Sequence, residues 1–118
     1  MCLLLIRDER TRADLLRPLR EAGYRVGSAA TGAEARALAA VDKYRLLITE
    51  LDLNDGDGES LMYELRQWYG MDGIAVGGFV TNERLATAQR SGLRRFFMMP
   101  LRPEELIEAV DDMTGATA

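Results

Sequence analysis

Residues 45–58 have the sequence Arg-Leu-Leu-Ile-Thr-Glu-Leu-Asp-Leu-Asn-Asp-Gly-Asp-Gly, and this segment carries the strongest structural signal in the chain. It contains a short apolar run, residues 46–48, which is followed by the acid Glu50 and by an acidic loop with two glycines. A short apolar run that is closed by turn-forming residues is typical of a buried strand in a parallel sheet. Ligands of open α/β sheets bind just beyond the carboxyl ends of such strands. We therefore expect Glu50 to lie where a functional site would form.

Two other apolar segments are predicted to bring side chains to the same edge of the sheet. Residues 3–6 are predicted to form a buried first strand, which is followed by Arg7 and Asp8. The last predicted strand is followed directly by Met99. Because the carboxyl ends of parallel strands share one edge of a sheet, we expect these residues to lie near Glu50.

Apolar segments and amphipathic segments alternate along the chain. Strands are predicted at residues 3–6, 24–26, 46–48, 74–76 and 96–98. Helices are predicted at residues 11–22, 31–41, 60–69 and 82–91, and from residue 103 onwards. Right-handed crossovers between successive strands then give a parallel sheet that is covered by helices on both faces.

Several local features of these elements are also predicted. A capping box at residues 31–34 begins the second helix, and Asn82 is expected to cap the fourth. Pro18 is expected to kink or shorten the first helix, because proline has no backbone N–H to donate. Trp68 and Phe79 are expected to be packing residues.

The composition is that of an ordinary globular domain. The chain has 118 residues, of which 47% are hydrophobic and 29% are charged. We therefore predict one domain that spans residues 1–118, with a frayed tail from about residue 115. The net charge of −4 argues against a surface that binds nucleic acid.

Missing residue types narrow the possible chemistry further. The chain has no histidine, which excludes histidine-based metal sites, Ser/His triads and a phosphohistidine. Cys2 is its only cysteine, so an internal disulfide is impossible and a reducing, cytoplasmic location is expected. No apolar run reaches the roughly 18 residues that a membrane span requires, so we expect no membrane association.

Several segments, in this order, resemble the response-regulator receiver domain over essentially the whole chain. They are residues 4–9, 22–26, 30–35, 46–58 and 99–106. Residues 69–78 are similar to receivers that are attached to hybrid histidine kinases. The resemblance implies a flavodoxin-like (CheY-like) α/β fold, with a doubly wound five-stranded parallel sheet in the order 2-1-3-4-5 and five helices. It also implies a role in bacterial two-component or phosphorelay signalling.

The same resemblance assigns roles to the residues at the predicted sheet edge. Glu50 lies at the position of the Asp that accepts the phosphoryl group in receivers. Arg7 and Asp8 lie where receivers carry two acids that hold Mg²⁺, and Asp52 belongs to the same acidic pocket. Mg²⁺ prefers octahedral oxygen ligands, whereas Arg7 contributes a fixed positive charge that opposes metal entry. We therefore expect no metal cofactor, with weak binding of a divalent ion by Asp8 and Asp52 as the alternative.

Three further positions depart from the receiver pattern. Gly77 replaces the usual Ser or Thr, Met99 replaces the usual Lys, and Phe96 keeps an aromatic ring at the switch position without a hydroxyl. These changes remove a hydroxyl donor and the cation that would bind the phosphoryl group. Met99 is expected to pack in the core or at its rim. We therefore predict that the chain is not an enzyme.

Arg7 has several predicted partners. It is expected to pair with Glu50, with Asp8 or with both, because a guanidinium matches the geometry of a carboxylate. On this hypothesis Arg7 replaces the metal and Glu50 partly imitates a phosphorylated acceptor. In the alternative interpretation, Arg7 and Glu50 are ordinary solvated side chains.

The loop that follows Glu50 carries three more acids with a sparse, calcium-loop-like spacing, namely Asp52, Asp55 and Asp57. The closing acid and the register of a calcium loop are missing. We therefore expect these residues to hold the turn rather than to bind calcium.

The predicted function is that of a degenerate receiver (a pseudo-receiver), which binds a histidine kinase or an output domain independently of phosphorylation. A candidate binding or homodimer face contains Arg84, Arg90, Arg94, Arg95, Phe96 and Arg102. One alternative is an active receiver that is phosphorylated at Asp52 or Glu50. Another is a flavodoxin-like domain that binds a small molecule.

Overall fold

The computed structural model describes residues 1–115, which form seven strands and five helices. The strands are Cys2–Leu5 (β1), Val26–Ala29 (β2), Leu46–Glu50 (β3), Asp52–Leu53 (β4), Gly56–Asp57 (β5), Asp72–Gly77 (β6) and Leu93–Met98 (β7). The helices are Glu9–Glu21 (α1), Gly32–Val41 (α2), Gly58–Tyr69 (α3), Asn82–Ser91 (α4) and Pro103–Thr114 (α5). The predicted frayed tail lies mostly outside these residues, and Gly115 is the C-cap of α5.

Five of the strands form one parallel sheet in the order β2-β1-β3-β6-β7. This confirms the predicted doubly wound, flavodoxin-like sheet and its strand order. The two-residue strands β4 and β5 form a small antiparallel hairpin that was not predicted. Because β3 lies between β1 and β6, the carboxyl ends of these three strands are adjacent.

The sheet is buried on both faces. Helices α2, α3 and α4 pack on one face, in the core cluster that contains Leu47. Helices α1 and α5 pack on the other face, in the cluster that contains Ile48. Both side chains are 0% exposed, which explains why this central strand has an unbroken apolar sequence rather than an alternating one.

Two predictions about the first half of the chain are wrong in detail. The prediction that Pro18 shortens α1 is wrong, since the helix continues past it to Glu21. The next residue, Leu19, is 0% exposed, and its burial offsets the hydrogen bond that the proline cannot donate. The second strand begins at Val26 rather than at Tyr24, because the Tyr24 backbone N–H donates to the Leu19 carbonyl oxygen near the end of α1, at 3.1 Å, and not to a neighbouring strand.

Two predicted packing residues are exposed. Trp68 is 62% exposed and Phe79 is 87% exposed. The predicted capping box of α2 is confirmed in its first half, since the Thr31 side chain accepts a hydrogen bond from the Glu34 N–H, while the Glu34 carboxylate accepts from the Ala30 N–H instead of the Thr31 N–H. The cap of α4 is Thr81, one residue before the predicted cap. Within residues 1–115, no helix is both long and apolar enough to cross a membrane.

Candidate functional site

Glu50, the last residue of β3, is bound by Arg7, which lies two residues beyond the end of the neighbouring strand β1. The Arg7 backbone N–H donates to Glu50 Oε1 at 2.7 Å, and Arg7 Nε lies 3.4 Å from the same oxygen. The Glu50 side chain is 19% exposed and the Arg7 side chain is 43% exposed. The structure therefore selects Glu50 among the predicted partners of Arg7. Since one of the two contacts comes from the main chain, the carboxylate is held even without the guanidinium.

Asp8 is directed away from Arg7 and into its own helix. Its carboxylate is the N-cap of α1, and its Oδ2 accepts hydrogen bonds from Thr11 N at 2.9 Å and from Thr11 Oγ1 at 2.8 Å. These two hydrogen bonds lower the pKa of the Asp8 carboxyl. Asp8 thus stabilises the start of a helix, and its pairing with Arg7, the second predicted possibility, is absent.

Asp52 and Glu59 are joined by a residue that the sequence did not place in the site. Arg84 Nη1 lies 2.8 Å from Asp52 Oδ1, while Arg84 Nε and Nη2 lie 2.9 and 3.2 Å from the two carboxylate oxygens of Glu59. We call these three residues the Arg84 clamp. The hydrogen bonds to Glu59, followed by those to Asp52, raise the pKa of the guanidinium.

The position of Arg84 corrects its predicted assignment to the candidate binding face. It is the third residue of α4, where a positive charge opposes the helix dipole. A cation in the first turn of a helix is unfavourable without a specific partner. That local mismatch was the available signal that Arg84 contacts acids on other elements.

The remaining loop acids cap two helices. The Asp55 carboxylate accepts hydrogen bonds from the backbone N–H groups of Gly32 at 2.8 Å and of Ala33 at 2.9 Å, at the start of α2. Asp57 is the N-cap of α3 and accepts from Ser60 N at 2.7 Å. The prediction that these acids hold the loop is therefore confirmed, and they do so by binding the N-terminal N–H groups of helices.

We expect the wild-type protein to lose stability when the pH falls below about 4, partly through Asp55. The hydrogen bonds from Gly32 and Ala33 lower the pKa of Asp55. Its stabilising effect is therefore complete above the unfolded-state pKa of about 3.9, and it is lost as the pH falls through the lower, folded-state pKa. Asp55→Asn should weaken this pH dependence, as measured by urea midpoints at pH 5 and pH 3.

The control for this experiment is Asp14→Asn, which changes an acid on the exposed face of α1. Asp14→Asn should retain the acid sensitivity of the wild type. An equal loss of stability at pH 3 in the wild type and in Asp55→Asn would contradict the assignment of Asp55 to the start of α2.

Most of the predicted site residues line one small cavity of about 70 Å³ at the carboxyl edge of the sheet. Its predicted lining residues are Arg7, Glu50, Asp52, Gly77 and Phe96, and Arg84 joins them. A Cβ atom built on Gly77 meets no atom within 4 Å, so the missing side chain leaves open space.

Asp8 and Met99 do not line the cavity. Met99 packs against the core formed with α1 and α5, which confirms its predicted packing role, and its peptide bond to Pro100 is cis.

The acidic residues of this site do not fit a Mg²⁺ ion. Asp8 accepts from Thr11, Glu50 accepts from Arg7, and Asp52 is paired with Arg84. Two guanidinium groups line the same cavity, where Mg²⁺ would need several free oxygen ligands. Among residues 1–115, no cluster of three or more His, Cys, Asp or Glu side chains has a metal-binding arrangement.

Comparisons with known proteins agree with the observed fold. The family profile described as the response regulator receiver domain matches residues 3–111. A two-component response regulator from Clostridium difficile has a TM-score of 0.91 at 24% identity, covering 97% of this chain and 94% of that chain. A CheY-like receiver domain protein from Methanospirillum hungatei has a TM-score of 0.88 at 24% identity, with coverages of 98% and 97%.

A third solved structure is the beryllofluoride-activated NtrC4 receiver domain dimer. It has a TM-score of 0.89 at 19% identity and covers 98% of both chains. At these identities the structural likeness establishes the fold alone. No curated protein sequence matches the chain significantly.

Proposed function

This chain belongs to the response regulator receiver family, and from that premise we propose that it is a degenerate receiver, which signals by binding proteins independently of phosphorylation. The observation that supports this proposal most strongly is the contact between Arg7 and Glu50. The side chain at a metal-ligand position of receivers is here a cation, and it is bonded to the residue at the acceptor position.

The charge at the Arg7 position disfavours both the metal and the reaction. An Arg in place of an acid changes the local charge by two units. At an effective dielectric constant of 20, two unit charges about 4 Å apart interact by roughly 4 kcal/mol, so each unit of this change disfavours a bound cation by an energy of that order. Phosphoryl transfer depends on a metal ion and on positioned cations to neutralise the transferred group. We therefore propose that the domain binds no Mg²⁺ and is not an enzyme.

We propose that the Glu50 carboxylate imitates a phosphorylated acceptor. Its carboxylate extends one methylene beyond that of an Asp, and it is fixed by the Arg7 backbone N–H at 2.7 Å. A carboxylate held in this way supplies a permanent negative charge near the place of a phosphoryl group. The domain would then keep one signalling state, whether or not a phosphodonor is present.

The proposed partners are a histidine kinase, including one of the hybrid type, or an output domain. The predicted basic face remains the candidate surface, without Arg84. Arg94 and Arg95 are exposed, and each is near one carboxylate: Arg94 lies 3.7 Å from Asp72 and Arg95 lies 3.5 Å from Asp112. The NtrC4 receiver forms a dimer, and we propose self-association through this face as a second possibility. Exposed cations favour an acidic partner.

The test is the intact mass of the protein after incubation with Mg²⁺ and acetyl phosphate. We expect no phosphoryl adduct on the wild-type chain, because Arg7 occupies a position that would hold the metal and Met99 replaces the lysine that would bind the phosphoryl group. An acid-stable, base-labile adduct at Glu50 or Asp52 would contradict the proposal and would support the active-receiver alternative.

A restored variant is the comparison for this measurement. It combines Arg7→Asp, Glu50→Asp, Gly77→Thr and Met99→Lys, and the open space at Gly77 leaves room for the threonine side chain. A stoichiometric adduct on this variant alone would show that the donor and the assay work. If both proteins remain unmodified, the single substitution Glu50→Asp should be compared for Mg²⁺-dependent changes in amide chemical shifts.

A further inference from the structure

The edge of the sheet opposite Glu50 carries an exposed aromatic cluster. Trp68 and Tyr69, in the last turn of α3, are 62% and 45% exposed, and Val41, at the end of α2, is 81% exposed. The rings of Trp68 and Tyr69 meet edge to face, with centroids 6.2 Å apart. We call Val41, Trp68, Tyr69 and the neighbouring Lys43 the aromatic bay. Exposed apolar clusters of this kind mark interaction surfaces when polar residues surround them.

The aromatic bay lies between two surface cavities that are larger than the cavity at Glu50. One of about 430 Å³ is lined by Val41 and Trp68, and one of about 550 Å³ is lined by Arg45. Lys43 and Tyr69 line both cavities. These volumes accommodate several side chains of a binding partner, whereas the cavity of about 70 Å³ at Glu50 does not.

The charges around the aromatic bay favour an acidic partner. Lys43 is the only lysine in the sequence, and both Lys43 and Arg45 are exposed. Within the described part of the chain, neither residue lies within ion-pair distance of a carboxylate. Asp72, which also lines the larger cavity, is already paired with Arg66 at 3.6 Å and with Arg94, a residue of the candidate basic face, at 3.7 Å. Among the described residues, two unpaired cations thus flank the exposed aromatic rings, against one carboxylate, Asp42, that lines the smaller cavity without an ion pair.

We propose that the aromatic bay binds an acidic, amphipathic segment of a partner protein. An apolar side chain of that segment packs against Trp68 and Val41 in the smaller cavity, and its carboxylates pair with Lys43 and Arg45. Central aromatic anchors often dominate binding energy, while complementary charges at the rim select the partner. None of the residues that are proposed to contact this segment is part of the evidence for the proposed function. Either proposal can therefore fail while the other holds.

Trp68 provides the measurement, because it is the only tryptophan in the chain. The probe is a synthetic peptide of Glu and Leu with one Phe, titrated into the 118-residue protein. We expect the emission of Trp68 to move to shorter wavelengths as the ring leaves water. A peptide with Lys in place of Glu, and one with Gly in place of Leu and Phe, should produce no shift at the same concentration.

The contribution of each residue is found by comparing the affinities of variants for a fluorescently labelled peptide, which are measured by its anisotropy. Lys43→Glu should weaken binding about tenfold, because it opposes like charges across the contact. Trp68→Ala should weaken binding on the order of thirtyfold, as for the loss of a central aromatic anchor. Phe79→Ala, an exposed aromatic residue at the other edge of the sheet, is the matched control and should bind like the wild type.

Two outcomes would overturn the proposal. One is an emission shift of Trp68 that the acidic and the basic peptide produce equally, since charge would then play no part. The other is a dimer, seen by sedimentation velocity, that Trp68→Ala abolishes in a protein that does not respond to the acidic peptide. The occupant of the aromatic bay would then be a second copy of the chain.

Discussion

Arg84→Ala is expected to lower the free energy of unfolding by about 1.5–3 kcal/mol, the range for charged hydrogen bonds that are lost within a protein. The substitution removes three contacts of 2.8–3.2 Å, which connect α4 with the hairpin strand β4 and with the start of α3. Glu59, whose side chain is 12% exposed, is left with a partly buried charge and no cation. The remaining exposure of Arg84 keeps the effect below that of a fully buried pair. Urea unfolding at pH 7 measures it.

The control for Arg84→Ala is Arg7→Ala, the same substitution in the neighbouring ion pair. The Arg7 side chain is 43% exposed and makes a single contact of 3.4 Å with Glu50, while its backbone N–H survives in the variant. Arg7→Ala should therefore cost less than about 1 kcal/mol. A double-mutant cycle of Arg84→Ala with Glu59→Gln should give a coupling of about 1 kcal/mol or more. Equal losses for both arginines, with no coupling, would contradict the Arg84 clamp.

The contrast between Arg7 and Arg84 shows what the sequence could predict about the site. Arg7 lies two residues beyond the end of β1, so the sheet topology alone placed it beside Glu50, and the pairing was predicted. Arg84 reaches acids that are 25 and 32 residues away, Glu59 and Asp52. No local pattern specifies which acids face α4 once the helices pack. The mismatch with the helix dipole indicated only that Arg84 needed a partner.

The same reasoning explains why the fold was predicted and Trp68 was not. The strands were detected because their apolar residues are adjacent in sequence and are buried together. In α3, Leu61, Leu65 and Trp68 have helical spacing, yet only the first two are buried. Met71, which follows the helix and is 1% exposed, occupies the core there instead. Helical periodicity shows which side faces inward, but it does not show where the sheet beneath the helix ends.

Gly58→Ala is expected to cost roughly 3 kcal/mol of unfolding free energy, at the upper end of the range for overpacking. A Cβ atom at Gly58 would lie 2.3 Å from the Glu50 carbonyl oxygen and 3.2 Å from the Leu51 Cα atom. Both are backbone atoms, so the clash cannot be relieved by a side-chain rotation. Either α3 or the end of β3 must move, which also strains the hydrogen bond of 2.7 Å from Gly58 N to the Leu51 carbonyl oxygen. Thermal and urea unfolding measure the loss.

Gly78→Ala makes the same chemical change nearby and is the control for Gly58→Ala. A Cβ atom at Gly78 meets nothing within 4 Å, so the free energy of unfolding of this variant should lie within about 0.5 kcal/mol of the wild-type value. It should be slightly higher if the alanine makes the unfolded chain less flexible.

The clash in Gly58→Ala also acts on Glu50, the residue at the acceptor position. Since it displaces the main chain of Glu50, the amide proton of Arg7, which donates to the Glu50 carboxylate, should shift in Gly58→Ala and not in Gly78→Ala. Wild-type stability with an unmoved Arg7 amide would contradict the close approach of α3 to β3, and with it the backbone contact that holds Glu50 in place.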